Sequence, residues 1–320
     1  MRPRRVRLVA VLLAGLALLG AARAADDPPL DVESLAPGVF HVPGHVAPWG
    51  QGFRGQVSNS GFVVGSRCVA VIDSGGSPSV GRALLAAVRR TSALPVCYVI
   101  DTHVHPDHLL GNSAFAAANG DAPPPRVVGH RRLAAALAAR APFYLNAMKR
   151  DFEAADQAGA APGPDLAVDD TLELDLGDRR LELRAWPTAH TDNDLTVYEP
   201  GSGTLWLGDL VFDAHLPVLD GSLRGWRQVL DGLAKLPARQ AVPGHGTVLR
   251  DWPAGAGPTQ RYLARLDTDV RAAIRAGLSL GQTIDKLGAA DAPAAAGWQL
   301  VDAFHRRNLT AAFAELEWAE

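Results

Sequence analysis

Asp101-Thr-His-Val-His-Pro-Asp-His108 is the stretch on which both fold and chemistry turn. It holds three imidazoles and two carboxylates, directly after an apolar run, Val96-Cys-Tyr-Val-Ile100, that reads as a buried strand. Upstream, Val69–Ile72 reads as a second strand ending at Asp73-Ser74-Gly75-Gly76. Ser77-Pro78 then supplies a cap and first-turn pair for a helix to about Arg90, with Val80, Leu84, Leu85 and Val88 on one face. Strand, helix, strand implies a parallel crossover, and active groups in such sheets sit at the carboxyl ends of the strands, where Asp73 and Asp101 fall.

Before this unit, Gly38–Val42 and Phe62–Val64 read as strands. Between them a loop, Gly44 to Gly55, carries Trp49, Phe53 and Arg54 among four glycines and is placed to fold over a pocket. After it the sequence predicts a helix over 109–118, a Pro123-Pro124-Pro125 break, a strand over 126–129, an Ala-rich helix over 131–140 and another from Pro142. Tyr144, Met148 and Phe152 recur on that last helix as a stripe of core type. Beyond the Gly/Pro-rich run 158–164, strands are expected at 172–176, 181–186, 195–198 and 204–207, the last ending at Gly208-Asp209. A helix over 222–236, a strand over 240–243 ending at Gly244-His245-Gly246, and covering helices over 258–277 and 297–317 complete the chain. Strands first and helices later in both halves imply an α/β (α+β) chain of two sheets packed face to face, helices outside, with the site along one edge.

Seven potential ligands fall at these strand ends or in the loops after them: His103, His105, Asp107, His108, His190, Asp209 and His245. That exceeds what one tetrahedral zinc can use, and the set lacks the cysteines of most structural zinc sites. Two ions fit better. In a His-x-His-x-Asp-His turn, residues two apart converge on one ion while the adjacent Asp107-His108 pair faces a second. Asp209 is then the bridging carboxylate, because Asp107 is committed by its neighbour.

These residues resemble the metallo-β-lactamase-fold hydrolase superfamily, including its glyoxalase II type. The matches are Asp73 in Val-Ile-Asp-Ser-Gly, His103-Val-His-Pro-Asp-His108, His190 in Thr-Ala-His-Thr, Asp209 in Gly-Asp-Leu and His245 in Pro-Gly-His-Gly. The resemblance implies a four-layer αββα sandwich, one zinc on His103, His105 and His190, another on Asp107, His108 and His245, and Asp209 between them. A closer likeness, to exported quinoprotein relay system zinc metallohydrolases or SoxH-like proteins, rests on His103 to Asn112, Ala189 to Thr196, Gly208 to Val218 and Asp220 to Trp226. Metallo-β-lactamases in the strict sense resemble the first motif but generally lack the bridging Asp, which makes β-lactam hydrolysis the weaker expectation.

The implied activity is metal-dependent hydrolysis of an ester, thioester or amide in a small molecule. Zinc lowers the pKa of bound water from about 15.7 to about 7 and polarises a carbonyl. Asp107 and Asp209 are the expected catalytic carboxylates, Asp107 doubling as proton acceptor. Asp73 and Asp101 are candidates for orienting ligand imidazoles; His215 and Arg224 are candidates for the substrate side. The rival readings are an iron-dependent persulfide or sulfur dioxygenase, which would leave Asp107, His108 and His245 unused, and a non-catalytic relay or binding protein, whose signature would be a lost ligand.

The first residues set the compartment. Residues 1–24 join a basic start (Arg2, Arg4, Arg5, Arg7), an apolar run from Leu8 to Gly20 and the small-residue site Ala22-Arg23-Ala24, the layout of a secretory signal peptide. Arg4-Arg5 leaves Sec and twin-arginine export both open. The expected organisation is signal peptide 1–24, linker 25–37 and one catalytic domain, 38–320, with C-terminal helices, in the periplasm or secreted. Cleavage leaves 26 basic against 34 acidic residues, net −8, a balance that disfavours nucleic acid and anionic membrane. No other long apolar segment follows, so no stable membrane insertion is expected. Cys68 and Cys97 are the only cysteines; an exported protein could pair them, but spacing alone does not decide it.

Overall fold

The computed structural model describes residues 29–157, 161–289 and 291–318; the expected signal peptide, linker residues 25–28 and residues 158–160 lie outside the described residues. The first sheet runs in chain order through β1 (Glu33–Ala36), β2 (Val39–Val42), β3 (Ser60–Val64), β4 (Val69–Ile72), β5 (Val96–Ile100), β6 (Arg126–His130) and β7 (Leu166–Val168). It is antiparallel as far as β4 and parallel from β4 to β7. The second contains β8 (Thr171–Asp175), β9 (Arg180–Ala185), β10 (Leu195–Glu199), β11 (Thr204–Phe212) and β12 (Gln240–His245), in the spatial order β12-β11-β10-β9-β8.

Period-two alternation decides which side each residue serves. Ala70 and Ile72 of β4 enter the layer between the sheets, with Leu181, Leu183, Val197 and Trp206 from the second sheet. Val69 and Val71 face outward onto Leu84 and Val88 of α1 (Pro78–Thr91). On the far side Leu205 and Leu207 meet Trp226 and Leu230 of α4 (Leu223–Leu233), Leu263 of α5 (Gly257–Arg275) and Leu309 of α8 (Val301–Leu316). Helix, sheet, sheet, helix is the four-layer αββα sandwich expected from the sequence. The first helix starts where Ser77 accepts from the Val80 amide and Pro78 sits in the first turn. Cys68, just before β4, and Cys97, on its neighbour β5, are joined by a disulfide that spans the crossover through α1.

Several boundaries differ from the expectation. Residues 33–36, read as linker, form β1, because Glu33 and Ser34 pair with His41 and Phe40. The helix expected over 109–118 is instead α2 (Pro106–Leu109) followed by a 3-10 turn at 112–115; the motif itself starts the helix, with Pro106 in its first turn. Two helices around Pro142 are one, α3 (Leu133–Asp151). Pro142 and Ala138, whose carbonyl loses its amide partner, are both exposed, so water can satisfy that oxygen. Strand β7 is additional, as are α6 (Leu280–Leu287) and α7 (Asp291–Ala295), too short for a clear period. Strand β11 does not stop at Asp209 but continues to Phe212 past an irregularity at Gly208.

Candidate metal centre

The site lies where β4, β5, β11 and β12 and the β9–β10 loop meet at one edge of the sandwich. Gly208 has φ +51, a left-handed conformation that favours glycine, and a Cβ there would lie 2.7 Å from Thr102 Oγ1. This bulge in β11 aims Asp209 inward. Gly244 on β12 is equally constrained, since a Cβ would meet Asp209 Oδ1. Asn59, just before β3, fastens the rim by donating to the carbonyls of Pro243 and Gly246.

Two groups of donors result. In the first, His105 Nδ1 lies 3.1 Å from His103 Nε2 and 3.0 Å from His190 Nε2, and Asp209 Oδ2 lies 3.7 and 3.4 Å from the same two nitrogens. In the second, His245 Nε2 lies 3.3 Å from Asp107 Oδ2, and Asp209 Oδ1 lies 3.2 Å from His108 Nε2 and 3.4 Å from His245 Nε2. Nitrogen ligands about 2.0–2.1 Å from a tetrahedral zinc stand about 3.3–3.4 Å apart, so these separations suit a cation at the middle of each group. One carboxylate faces both groups, an oxygen to each.

The outer nitrogens explain the orientation. His108 Nδ1 donates to Asp73 Oδ2 (2.8 Å), His105 Nε2 to Asp220 Oδ2 (3.1 Å), His190 Nδ1 to the Val218 carbonyl (2.6 Å) and His245 Nδ1 to the Val57 carbonyl (2.8 Å). The Thr102 hydroxyl gives its proton to Asp73 Oδ2, so its oxygen accepts from His103 Nδ1 at 3.1 Å. Each ring thus donates outward through one nitrogen and turns the other inward, the orientation a metal-ligating histidine requires. His108 Nε2 and Asp209 Oδ1 are buried and face each other at 3.2 Å without a well-formed hydrogen bond, and a cation between them would satisfy both. The donor set therefore fits two metal ions.

Electrostatics agree. Burial works against a charged His245, but Asp209 and Asp107 outweigh it and raise its pKa to about 9. His108 is likewise raised, burial being outweighed by Asp209, Asp73 and Asp107. Burial works against a charged Asp107 too, yet His108 and His245 hold it down at about 2. The field at the second group thus retains positive charge, as protons where no metal is bound. In the first group burial dominates: His190 falls to about 3 and His103 well below the usual range, so both offer lone pairs at neutral pH.

Beside the centre opens a cavity of about 430 Å³, reached by His105, Asp107, Asp209 and His245. Trp49 from the glycine-rich loop forms part of its wall, anchored by its Nε1–H to the Gly76 carbonyl and packed on Tyr144 and Phe152. Phe53 of the same loop stacks on His45 at the surface and does not line the cavity. Tyr144 is both core and cavity lining, because the stripe it begins ends against this wall. His215 lines the cavity but is buried, its ring against those of His245 and Phe212 and its pKa pushed to about 3 by burial and then by His245.

Two sequence candidates fall elsewhere. Asp101 accepts from Asn112 Nδ2 through both oxygens and touches no ligand imidazole; burial raises its pKa well above the carboxylate range. Arg224 is exposed on α4 and does not line the cavity. Arg140 and Arg307 do, together with Asp220, which holds both His105 and Arg140. Sequence reading assigned no role to these three. Asp220 stood within a quoted motif, whereas the arginines lie on helices without a local signal.

The family model described as the metallo-beta-lactamase superfamily matches residues 54–245, from the aromatic loop to the last ligand. The chain belongs to the metallo-beta-lactamase superfamily. Members of this superfamily are metal-dependent hydrolases. Among solved structures, the chain is similar to a metallo-beta-lactamase from Pontibacter korlensis, at 22% identity and a TM-score of 0.58 over 73% of this chain and 99% of that one. It is also similar to TMB-1, at 20% identity and a TM-score of 0.54 over 74% and 98%. At these identities the likeness concerns the fold. Among the described residues no helix is long and apolar enough to cross a membrane.

Proposed function

We propose that the protein is an exported dinuclear zinc hydrolase that cleaves an ester, thioester or amide bond in a small molecule. The observation that carries this reading is Asp209, whose two carboxylate oxygens face two separate groups of potential ligand nitrogens. His103, His105 and His190 would hold one zinc, Asp107, His108 and His245 the other, and Asp209 both. Zinc in such a site supplies a nucleophile at neutral pH and polarises the scissile carbonyl.

The protein's own groups do the rest. Asp107 faces the cavity as a carboxylate and would accept a proton as the nucleophile forms. Asp73 orients His108 directly and His103 through Thr102. Trp49 and Tyr144 wall the cavity and exclude water from one side.

A single-iron dioxygenase would use the first group only, and the second group, complete and oriented, argues against it. A relay or binding protein without catalysis would need no oriented Asp107 at the cavity. The motif likeness to exported quinoprotein relay or SoxH-like zinc metallohydrolases is in keeping with this reading. Export is supported by the signal-type residues 1–24 and by the Cys68–Cys97 disulfide, a bond of oxidising compartments.

The test is a panel of thioesters, esters, amides and β-lactams offered to the zinc-loaded chain, beside His103→Ala and Asp209→Ala. Turnover of a thioester, ester or amide is expected in the parent, abolished by chelation and in both variants. Absence of metal-dependent turnover across the panel would overturn the reading.

A further inference from the structure

Two helices present the same pair of residues to the cavity. Arg140 and Phe143 stand three apart on α3, Phe304 and Arg307 three apart on α8, and all four line it. Three apart on a helix is one face, so each arginine comes with an aromatic ring beside it. Phe143 is 69% exposed, one of three large apolar side chains so exposed among the described residues, and it sits at a cavity rather than on open surface. Arg307 is exposed and makes no ion pair among the described residues. Arg140 is partly buried and held at 3.3 Å by Asp220, which His105 also holds. One cation is therefore fixed and the other uncommitted, and both share the cavity with the two aromatic rings and the metal-site residues.

We infer that the substrate is an amphipathic carboxylate, its anionic group bound between Arg307 and Arg140 and its apolar body on Phe143 and Phe304. This rests on the hydrolase reading and names its substrate class. Guanidinium suits the task because its planar fork matches a carboxylate, and the exposed aromatic beside it offers apolar surface to the rest of the same ligand. Arg307 acts here as a specificity residue, remote from the scissile bond, so its loss appears in KM.

The test pairs 4-nitrophenyl hydrogen glutarate, which carries a carboxylate, with neutral 4-nitrophenyl pentanoate on the zinc-loaded enzyme. A charge-assisted hydrogen bond is worth about tenfold or more in binding, so the parent should prefer the glutarate by at least about that factor. Arg307→Ala should collapse the preference through KM, Arg307→Glu should reverse it, and Arg224→Ala, on α4 away from the cavity, should leave it intact. Binding of phenylacetate against phenylacetamide, followed by calorimetry, separates the two claims, since it needs no turnover. Tighter phenylacetate binding that Arg307→Ala removes would support the subsite even if neither ester is cleaved. Equal binding of both compounds, or an unchanged preference in Arg307→Ala, would overturn it whatever the turnover.

Discussion

Replacing Asp73 by Asn should unseat one metal ion more than the other, and the structure gives the reason. Asp73 Oδ1 accepts from the Thr102 amide at 2.8 Å, while Oδ2 accepts from the Thr102 hydroxyl at 2.9 Å and from His108 Nδ1 at 2.8 Å. Asparagine has one oxygen and one NH2 in these places. With the oxygen kept toward the Thr102 amide, the NH2 faces His108 Nδ1–H, donor against donor. His108 must then carry its proton on Nε2, which removes the lone pair directed at Asp209. Flipping the amide instead sets the NH2 against the buried Thr102 N–H, at the cost of an unsatisfied donor, about 1–3 kcal/mol. Loss of an outer partner of a ligating histidine costs about 10–100-fold in metal affinity; because His108 loses its tautomer as well, the upper end, about 2.7 kcal/mol, is expected for the second ion. The first ion, reached only through Thr102 and His103, should weaken by about tenfold or less. Competition with a chromophoric chelator, read beside stoichiometry, resolves the two steps. Two ions held within about threefold of parental affinity would refute the proposed role of Asp73, since the expected loss is at least tenfold.

Other expectations follow from single features. Gly208→Ala places a Cβ in a left-handed conformation and against Thr102, so destabilisation by about 2 kcal/mol or more and impaired zinc uptake should appear in urea titration and metal analysis. Cys68→Ala opens a loop with a separation of 29 residues, and loop-closure entropy sets the loss at roughly 3–4 kcal/mol, measurable in the same titration. In chelated protein His245 has its pKa raised from 6.5 to about 9, so its contribution to stability is full below pH 6.5 and is lost as pH rises through about 9. Asp194, raised by burial to about 8, acts in the same direction with or without metal, so the difference between chelated and zinc-loaded protein reports the site histidines. Unfolding free energy of the chelated form that rises across this window would refute the assignment.

The fold and most of the candidate donors could be read from the sequence because both leave local signals. Six of the seven donors sit in the His103–His108 turn or beside glycine in Gly-Asp209 and Gly-His245, and the strands leading to them alternate or run apolar. What it did not carry depends on rotation and on distant neighbours. Asp73 and Asp101 looked equivalent as strand-end carboxylates, yet one points to His108 and the other to Asn112, a distinction set by the turn geometry, φ 54 at Asp73. His215 reads as a candidate for the substrate side, and its burial against Phe304 of α8 is a distant contact that its polar loop does not announce. Arg224 drew attention by its nearness to a motif, whereas Arg140 and Arg307 reach the cavity from two helices far apart in the chain. Dividing α3 at Pro142 also separated Arg140 from Phe143, hiding their shared face.

Metal content bears most directly on the central claim. The chain, loaded with excess zinc and desalted, should retain two zinc ions per chain by elemental analysis, and Asp209→Ala should lose at least one of them. One iron and no zinc per chain, or full zinc retention without Asp209, would contradict a centre built across that carboxylate.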